Sequence, residues 1–581
     1  MRKRVLAASL TAILLVSCTG SKPEKNDPQL TSAAFRSFVD DYFNQLFVFR
    51  PADATNAGFH EYDPKLGDYS AKAYRDRVQA LKSLQTRLDA LRSGKLSPDE
   101  TIDAAVLYGQ IKSELLETDE LQLWRRNPMH YVAAPGEGVD SLMKRNFAPA
   151  NERLRSLIQR LKQVPPILNA MRENVVDPPR EFTDISIRMA AGSVGFFRGS
   201  VAQWARQSAG DDRALLAGFQ KANEAAIASL ESAVAYLQHD LLPKSKGDYA
   251  IGADAFSRKL LYEDMVDMPV ARLLAVGEAN LEKDYRDFVA TARQINPNLS
   301  PAQVMKSLTG NHPTAETLLP SARELLSGLR DFLGSRRIIK LPTEALPLVA
   351  ETPPYARAGS FASMDTPGAY ERVAKEAFYY ITPPEKDWTP QHVEEHLREF
   401  SHPVIDLISV HEVYPGHYTQ FLFARQFPTK TRKLIGCGTN VEGWAHYTEQ
   451  MMIEEGLGNG DPRFHLAQLS EALVRDARYV TGIKLHTQGW TVEQGTQLFM
   501  QRAFTERANG FEEARRGAYN PTYLYYTLGK LQIYKLREDY KRAKGGAYSL
   551  DQFHTDFVRQ GGIPIKLMRQ ILLPGDNGPV L

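Results

Sequence analysis

The sequence has only two cysteines among its 581 residues, Cys18 and Cys437. So few cysteines exclude a fold held together by several disulfides, and stability has to come from apolar packing. The hydrophobic fraction of 43% and the aromatic fraction of 10% are sufficient for one or more large cores. At roughly 150 residues per domain, this length predicts several structural units.

The chain also lacks an excess of charge of either sign. Its 71 Lys and Arg residues oppose 69 Asp and Glu residues, which gives a formal net charge of +2. Loss of Arg2, Lys3 and Arg4 with a cleaved N-terminal segment would leave about −1. A basic surface of the kind that nucleic acids require is not indicated, so we expect no nucleic-acid partner.

The apolar run at the N-terminus is too short for a membrane span. Val5 to Val16 are twelve residues, against the ~20 that a helix needs to cross a bilayer. The basic segment Met1 to Arg4 precedes the run, and Leu15-Val16-Ser17-Cys18 follows the pattern of a lipobox. We therefore expect residues 1–17 to be a lipoprotein signal peptide.

Cys18 would then carry the lipid and anchor the mature protein to a membrane. Residues 18–29 are polar and contain Gly and Pro, which suits a tether. Thr19 rather than Asp follows the cysteine, which in bacteria resembling the enteric group implies outer-membrane sorting. The expected location is the outer membrane, facing the periplasm or the cell surface.

The rest of the chain, residues 30–581, has helical periodicity almost throughout. Capping boxes at Ser97, Ser300 and Thr491 mark helix starts, two of them with proline at the first helical position. No internal repeat is visible. These patterns predict a mainly α fold, either undivided or in two lobes, 30–330 and 331–581, around a channel.

A small β-sheet is expected between about residues 337 and 382. Three short runs rich in β-branched or aromatic residues are separated there by Pro and Gly, at 338–341, 346–350 and 377–382. This sheet would precede the helix that carries the candidate site. An edge strand beside a metal can pair with the backbone of an extended peptide, although a purely structural hairpin fits the same pattern.

The heptapeptide His411-Glu412-Val413-Tyr414-Pro415-Gly416-His417 supplies two imidazoles and an adjacent carboxylate. With Glu442 downstream, the chain offers the His, His, Glu set of a catalytic zinc site, which leaves a fourth position for water. Glu412 would be placed to accept a proton from that water. The prediction is one Zn²⁺ ion.

The spacing of the two histidines requires a distortion of the helix. Six residues correspond to about 600° of rotation, so an ideal helix would turn His417 some 120° away from His411. Pro415 has no N–H to donate to the carbonyl of His411, and Gly416 tolerates irregular dihedral angles. A bulge at this pair is expected to return His417 to the metal.

The third ligand is expected on a second helix that faces the first. Glu442 follows Thr439 and Asn440, either of which could cap that helix, and His446 and Glu449 share its face. A competing motif, His392-Val393-Glu394-Glu395-His396, fits an inverted zinc pattern. Its alternating charges are instead typical of a solvated surface helix.

Several segments resemble domain-of-unknown-function family 885, bacterial proteins similar to mostly helical zinc peptidases such as carboxypeptidase Taq and thimet oligopeptidase. The similar segments are 51–63, 364–370, HEVYPGHYTQ at 411–420, EGWAHYTE at 442–449, RYVTGIKLHTQGW at 478–490 and YTLGK at 526–530. The resemblance covers most of the mature chain. It implies a zincin-like metallopeptidase fold, zinc on His411, His417 and Glu442, and Glu412 as general base.

The same resemblance implies two further catalytic residues. His486 would point at the developing oxyanion, although Gly482 and Lys484 stand where the family commonly has Asp and Gly. Tyr526 would donate a hydrogen bond to the tetrahedral intermediate, but packing alone also explains a tyrosine in so aromatic a segment. The predicted reaction is hydrolysis of short peptides; a non-catalytic peptide-binding lipoprotein and a hydrolase of other amides or esters remain alternatives.

Overall fold

The computed structural model describes residues 28–353, 356–357, 360–576 and 578–581. The expected signal peptide, Cys18 and nearly all of the tether lie outside the described residues. The first helix begins at Pro28, so it includes the last two positions of the expected tether. Within the described residues the fold is mainly helical, as the sequence predicts.

The α-helices extend along the chain from Pro28 to Leu572 and differ widely in length. They are α1 (Pro28–Phe49), α2 (Pro51–Ala57), α3 (Ala71–Arg92), α4 (Pro98–Leu115), α5 (Leu123–Arg126), α6 (Met129–Met143), α7 (Ala150–Leu161), α8 (Val164–Asn174), α9 (Arg180–Phe196), α10 (Ala202–Ala209), α11 (Arg213–Tyr236), α12 (Ala253–Asp264), α13 (Val270–Ile295), α14 (Pro301–Thr309), α15 (Leu318–Ser335), α16 (Pro390–Arg398), α17 (Val404–Glu412), α18 (His417–Leu422), α19 (Lys430–Leu434), α20 (Gly438–Glu454), α21 (Pro462–Thr487), α22 (Val492–Arg502), α23 (Arg507–Tyr519), α24 (Tyr525–Lys544), α25 (Leu550–Val558) and α26 (Ile565–Leu572).

Shorter helical turns complete the helical part of the fold. The π-helical turns, which extend α4, α9 and α11, are Leu116–Glu120, Phe197–Val201 and Leu237–Leu241. The 3₁₀ turns are His60–Tyr62, Leu242–Lys244, Ala424–Gln426 and Gly545–Ala547.

The small sheet lies before the helix of the metal motif, as expected. It consists of β1 (Leu348–Glu351), β2 (Ala362–Asp365) and β3 (Phe378–Ile381) in the order β1-β3-β2. The central strand β3 is parallel to β1 and antiparallel to β2. The run at 338–341 forms no strand, and its two isoleucines pack in the main core. The sequence did not indicate β2.

The helix starts predicted from capping boxes are confirmed. The hydroxyls of Ser97, Ser300 and Thr491 each accept a hydrogen bond from the backbone N–H three residues on, and the Glu or Gln at that position bonds back. These are local interactions, which explains why the sequence alone reveals them.

The apolar cores cross the proposed lobe boundary near residue 330. The largest core joins Ile102 and Val106 of α4 to side chains between Leu318 and Leu573. A second core joins segments between Phe182 and Val304 to segments between Leu466 and Leu528. Two cores therefore contain buried side chains from both parts of the chain, whereas the buried side chains of two others come from the N-terminal part except for Ala374. The division into two lobes stays a prediction. Among the described helices, none combines the length and the apolar character of a membrane span.

Candidate metal centre

His411, His417 and Glu442 come together in the structure. His411 lies near the end of α17, His417 begins α18, and Glu442 lies in the second turn of α20. The Nε2 atoms of His411 and His417 are 3.5 Å and 3.4 Å from Oε2 of Glu442. Each residue offers one ligand atom, and these atoms all lie within 4.8 Å of one another.

The helix is interrupted around Pro415 and Gly416. This interruption brings His417 back to the side of His411. The expected bulge is instead an interruption, since α17 ends at Glu412 and α18 starts at His417. The N–H of Gly416 donates to the carbonyl of Val410 and that of Thr419 to the carbonyl of Val413, six residues back in each case. A regular helix bonds four residues back, so the break absorbs the two extra residues.

Glycine is required at position 416 by the close approach of the backbone. A Cβ atom there would lie 1.7 Å from the carbonyl oxygen of His411 and 2.5 Å from that of Val410. No side chain can be accommodated at such distances without movement of the segment that carries His411.

The second helix starts in a different way from the one expected. Thr439 and Asn440 lie inside α20 rather than before it. The carboxylate of Asp264, at the end of α12, accepts hydrogen bonds from the N–H and the hydroxyl of Thr439, at 2.8 Å and 2.7 Å. A residue 175 positions away in the sequence therefore caps the helix that carries Glu442.

The three candidate ligands fit a zinc ion. Ligand atoms about 2.0–2.2 Å from a tetrahedral ion are roughly 3.4 Å apart, and the two distances from Glu442 to the imidazoles are 3.4 Å and 3.5 Å. These distances are long for hydrogen bonds between imidazole and carboxylate. The set of two imidazoles and one carboxylate is that of catalytic zinc sites with an open fourth position.

Glu449 contacts the imidazole of His411 at Nδ1, across the ring from the Nε2 atom that faces Glu442. Nδ1–H of His411 donates to its Oε1 at 2.6 Å, and Nδ1–H of His446 donates to its Oε2 at 3.2 Å. Arg475 of α21 lies 3.5 Å from the same carboxylate. A carboxylate that orients a metal-binding histidine is a frequent feature of zinc sites. The sequence showed Glu449 on the face of Glu442 but gave no sign of this contact or of Arg475.

The pKa values of His411 and Glu442 depend on the charges of their neighbours in the candidate metal centre. Burial lowers the pKa of His411, but the carboxylates of Glu442 and Glu449 outweigh this effect and raise it to about 9. Burial raises the pKa of Glu442, yet the neighbouring His417 and His411 hold it well below its usual value. Without a metal, His411 is therefore protonated near neutral pH, and a bound cation would replace that proton.

Tyr526 lies beside the group because two helices approach closely. A Cβ on Gly529 of α24 would lie 2.0 Å from the carbonyl of Thr439, and one on Gly443 of α20 would lie 2.5 Å from Cα of Gly529. This contact places the Tyr526 ring 6.4 Å from the His411 ring, centre to centre. The glycines in both family segments thus fix the position of the tyrosine.

The hydroxyl of Tyr526 is arranged to donate. Its oxygen accepts a hydrogen bond from Nη2 of Arg516 at 3.0 Å, which leaves its own proton free for another acceptor. Burial, together with the charge of Glu442, raises the pKa of Tyr526. The side chain therefore remains a neutral phenol.

His486 is not brought to the metal group. Its Nε2–H donates to the carbonyl of Gly517 at 2.8 Å, and its ring packs against those of Tyr249 and Phe256. Arg475 on the same helix reaches Glu449, and at 1.5 Å per residue His486 lies about 16 Å further along. Burial lowers the pKa of His486 to about 4. The structure places it in the core as a neutral imidazole.

The histidines of the competing motif are engaged elsewhere. The ring of His392 stacks on Trp388 at 3.8 Å, and Nε2–H of His396 donates to the carbonyl of Thr382 at 2.8 Å. Glu394 contacts His312 and Arg398. Glu412, in contrast, directly follows His411 and is partly exposed at the end of α17.

Three ionisable residues of the N-terminal half combine solvent exposure with desolvation by the surrounding protein. Asp53 and Glu137 have solvent-exposed side chains, yet burial among surrounding protein raises the pKa of both. His130 is likewise exposed, and burial lowers its pKa. These side chains are reached by solvent, yet the surrounding protein disfavours their charged forms.

Contacts connect His130 to the segment before α24. The charge of Glu117 acts on His130, and Lys259 forms ion pairs with Glu117 and Glu263. The hydroxyl of Thr522, four residues before Tyr526, donates to Glu263 at 3.4 Å.

Comparisons with known proteins agree on the family and the fold. The family described as "Bacterial protein of unknown function (DUF885)" matches residues 51–572. None of the curated proteins matches the chain.

Two solved structures are similar over nearly their whole length. One is a protein described as a lipoprotein of unknown function from Shewanella oneidensis, with 26% identity, a TM-score of 0.75, and coverage of 93% of this chain and 99% of that one. The other, described as a lipoprotein from Colwellia psychrerythraea, has 17% identity, a TM-score of 0.77, and coverage of 94% and 98%; it shows the fold alone.

Proposed function

The chain belongs to this bacterial family of unknown function, and we propose that it is a zinc-dependent peptidase that hydrolyses short peptides. One observation carries the proposal: the Nε2 atoms of His411 and His417 and Oε2 of Glu442 converge at the spacing of zinc ligands. Glu412 adjoins the first of them. A purely structural site would have no use for this carboxylate.

The chemistry follows from the roles that these residues can take. Zinc held by His411, His417 and Glu442 would polarise the scissile carbonyl and acidify a water molecule. Glu412 accepts the proton of the attacking water and delivers it to the leaving amine. Tyr526, whose oxygen already accepts a hydrogen bond from Arg516, donates a hydrogen bond to the developing oxyanion. His486 has no part in this scheme because it lies in the core.

A peptide is the substrate that the surroundings favour. The edge strand β2 packs against α17, so its free side can pair with the backbone of an extended chain. His411 and His417 are buried, and a buried site admits short flexible peptides more readily than folded proteins.

The N-terminal segment supports a cell-envelope location. The lipobox at Leu15 to Cys18 and the description of both similar structures as lipoproteins point to a lipid anchor on Cys18. Thr19 favours sorting to the outer membrane. Cys18→Ser should release the protein from the membrane fraction, and its continued membrane association would contradict the anchor.

Metal analysis combined with a peptide library tests the activity. The purified mature chain should contain one zinc ion and cleave short peptides, as detected by mass spectrometry. Glu412→Gln should keep the zinc and lose about 10²–10⁴-fold in turnover. Glu395→Gln, an exposed change on α16, is the matched control and should be fully active. Undiminished turnover in Glu412→Gln, or a chain that binds no zinc, would exclude the proposed reaction.

A further inference from the structure

We propose that Arg516 binds the free C-terminal carboxylate of the peptide substrate, so that the protein acts as an exopeptidase at the C-terminal end. This inference rests on the proposed peptidase function and names its substrate class. The first observation is that the guanidinium groups of three arginines lie close to the ring of Tyr526. The Cζ atoms of Arg478, Arg516 and Arg475 lie 5.0 Å, 5.9 Å and 6.0 Å from the centre of the Tyr526 ring.

Two of the three arginines already have carboxylate partners. Arg478 makes a two-point contact with Glu513, at 2.6 Å and 2.8 Å. Arg475 pairs with Glu471 and lies 3.5 Å from Glu449. The charge of each is therefore neutralised within the protein, and neither offers its full set of donors to a ligand.

Arg516 is different because it forms no salt bridge among the described residues; the charge of Glu513 acts on it, but Arg478 already contacts that carboxylate at two points. Its Nη2 donates to the hydroxyl of Tyr526, and no carboxylate oxygen of the described residues lies within ion-pair distance of it. A guanidinium has five N–H donors, so most of those on Arg516 remain free. Leaving such a charge unpaired inside a protein is costly unless a ligand supplies the counter-charge. Its side chain is only partly buried and stays accessible.

The position of Arg516 suits the end of a peptide. Only Tyr526 separates it from His411, since the tyrosine ring lies next to the imidazole and the tyrosine oxygen accepts the Arg516 bond. An extended peptide advances about 3.3–3.6 Å per residue. One or two residues beyond the scissile bond therefore span this separation. The planar fork of arginine matches a carboxylate in geometry and charge.

Binding of matched peptides tests the inference directly. The probes are tetra-alanine with a free C-terminal carboxylate and the same peptide as its C-terminal amide, titrated by calorimetry into zinc-loaded mature Glu412→Gln protein. The free acid should bind at least about tenfold more tightly, because an amide forms no ion pair with a guanidinium. Adding Arg516→Gln should remove the preference, and Arg516→Lys should leave a weaker one.

A matched control lies on the same helix. Arg507 at the start of α23 pairs with Glu493 on the surface, so Arg507→Gln should keep the full preference for the acid. Circular dichroism establishes that each variant is folded, and Arg516→Lys serves if Arg516→Gln is not. Equal affinities for acid and amide, no binding of either, a preference that survives Arg516→Gln, or one that is undiminished in Arg516→Lys would overturn the inference.

Turnover by the wild-type chain separates this inference from the proposed function. Loss of residues from the C-terminus of the acid, with the amide resistant, supports both. Cleavage of acid and amide at equal rates leaves the peptidase in place and removes the carboxylate site. Binding of the acid through Arg516 without any hydrolysis retains the carboxylate site and excludes the peptidase. A role of Arg516 limited to orienting Tyr526 would slow both peptides alike.

Discussion

Oε1 of Glu449 accepts a hydrogen bond from Nδ1–H of His411 at 2.6 Å, so the Nε2 atom of the imidazole is directed toward Glu442 and His417. The same carboxylate accepts a hydrogen bond from Nδ1–H of His446, and Arg475 lies 3.5 Å from it. One buried residue therefore sets both the tautomer and the orientation of the first candidate ligand.

Glu449→Gln should weaken zinc binding by about 10–100-fold without removing a ligand. The measurement is a competition titration against a chelator. Glu454→Gln, on the same helix but engaged with Arg537 at the surface, is the control and should bind zinc like the wild type. Identical chelator curves for the wild type and Glu449→Gln would show that this carboxylate does not tune the metal.

Gly416→Ala should abolish zinc binding and lower the stability of the fold. The added Cβ would collide with the carbonyl of His411 at 1.7 Å, so the break between α17 and α18 would have to open. Gly218→Ala on α11 is the control, since its Cβ meets nothing within 4 Å and alanine favours a helix by up to about 1 kcal/mol. The zinc content and the thermal unfolding temperature of both variants are measured. A Gly416→Ala protein that binds a full equivalent of zinc would contradict the requirement for glycine between α17 and α18.

Tyr526→Phe should retain zinc and lower kcat by about 10²–10³-fold, because it removes one donor to the oxyanion. The KM of Tyr526→Phe should differ far less from that of the wild type, since the ring and its packing remain. Tyr525→Phe is a suitable neighbour control; its hydroxyl accepts from Asn520 rather than from Arg516. Equal kcat values for Tyr526→Phe and the wild type would mean that this tyrosine only packs.

The burial of His486 predicts a dependence of stability on pH. Its pKa is lowered from 6.5 to about 4 in the folded chain. Below about pH 6.5 the unfolded chain binds a proton that the folded chain does not, so stability is complete above that pH and declines toward pH 4. His486→Gln can keep a donor to Gly517 and does not titrate.

Urea unfolding at about pH 7 and about pH 4.5 measures this effect. The wild type should lose roughly 2–3 kcal/mol more over the interval than His486→Gln does. His239→Gln, an exposed substitution, should behave like the wild type. Parallel losses in all three proteins would show that His486 is not held neutral by the fold.

The sequence predicted the features that depend on near neighbours. Helix starts at Ser97, Ser300 and Thr491 rest on hydrogen bonds across three residues, and the structure confirms them. The need for a break at Pro415 and Gly416 followed from the rotation of a helix and the chemistry of two residues. Its form, with bonds to residues six positions back, did not follow, because several irregular paths satisfy the same requirement.

The identity of a residue did not show which way its side chain points in the fold. The family segment that contains His486 was recognised, but the packing of α21 against α13 and α23 turns this imidazole toward Gly517 and away from the metal group. In the same way, the sequence gave no reason to prefer Arg516 over Arg475 or Arg478. Only the neighbouring carboxylates distinguish the three.

The amino-acid sequence by itself determined the helical character, the two imidazoles at 411–417 with Glu442 downstream, and the carboxylate of Glu412 beside His411, since these follow from short-range periodicity and side-chain chemistry. Tertiary structure alone decided that Asp264 caps α20, that Glu449 orients His411, and that the glycine contact between α20 and α24 places Tyr526. These contacts join residues from 38 to 175 positions apart or depend on how closely two helices approach. Long-range packing of the whole chain sets them, and no local pattern encodes it.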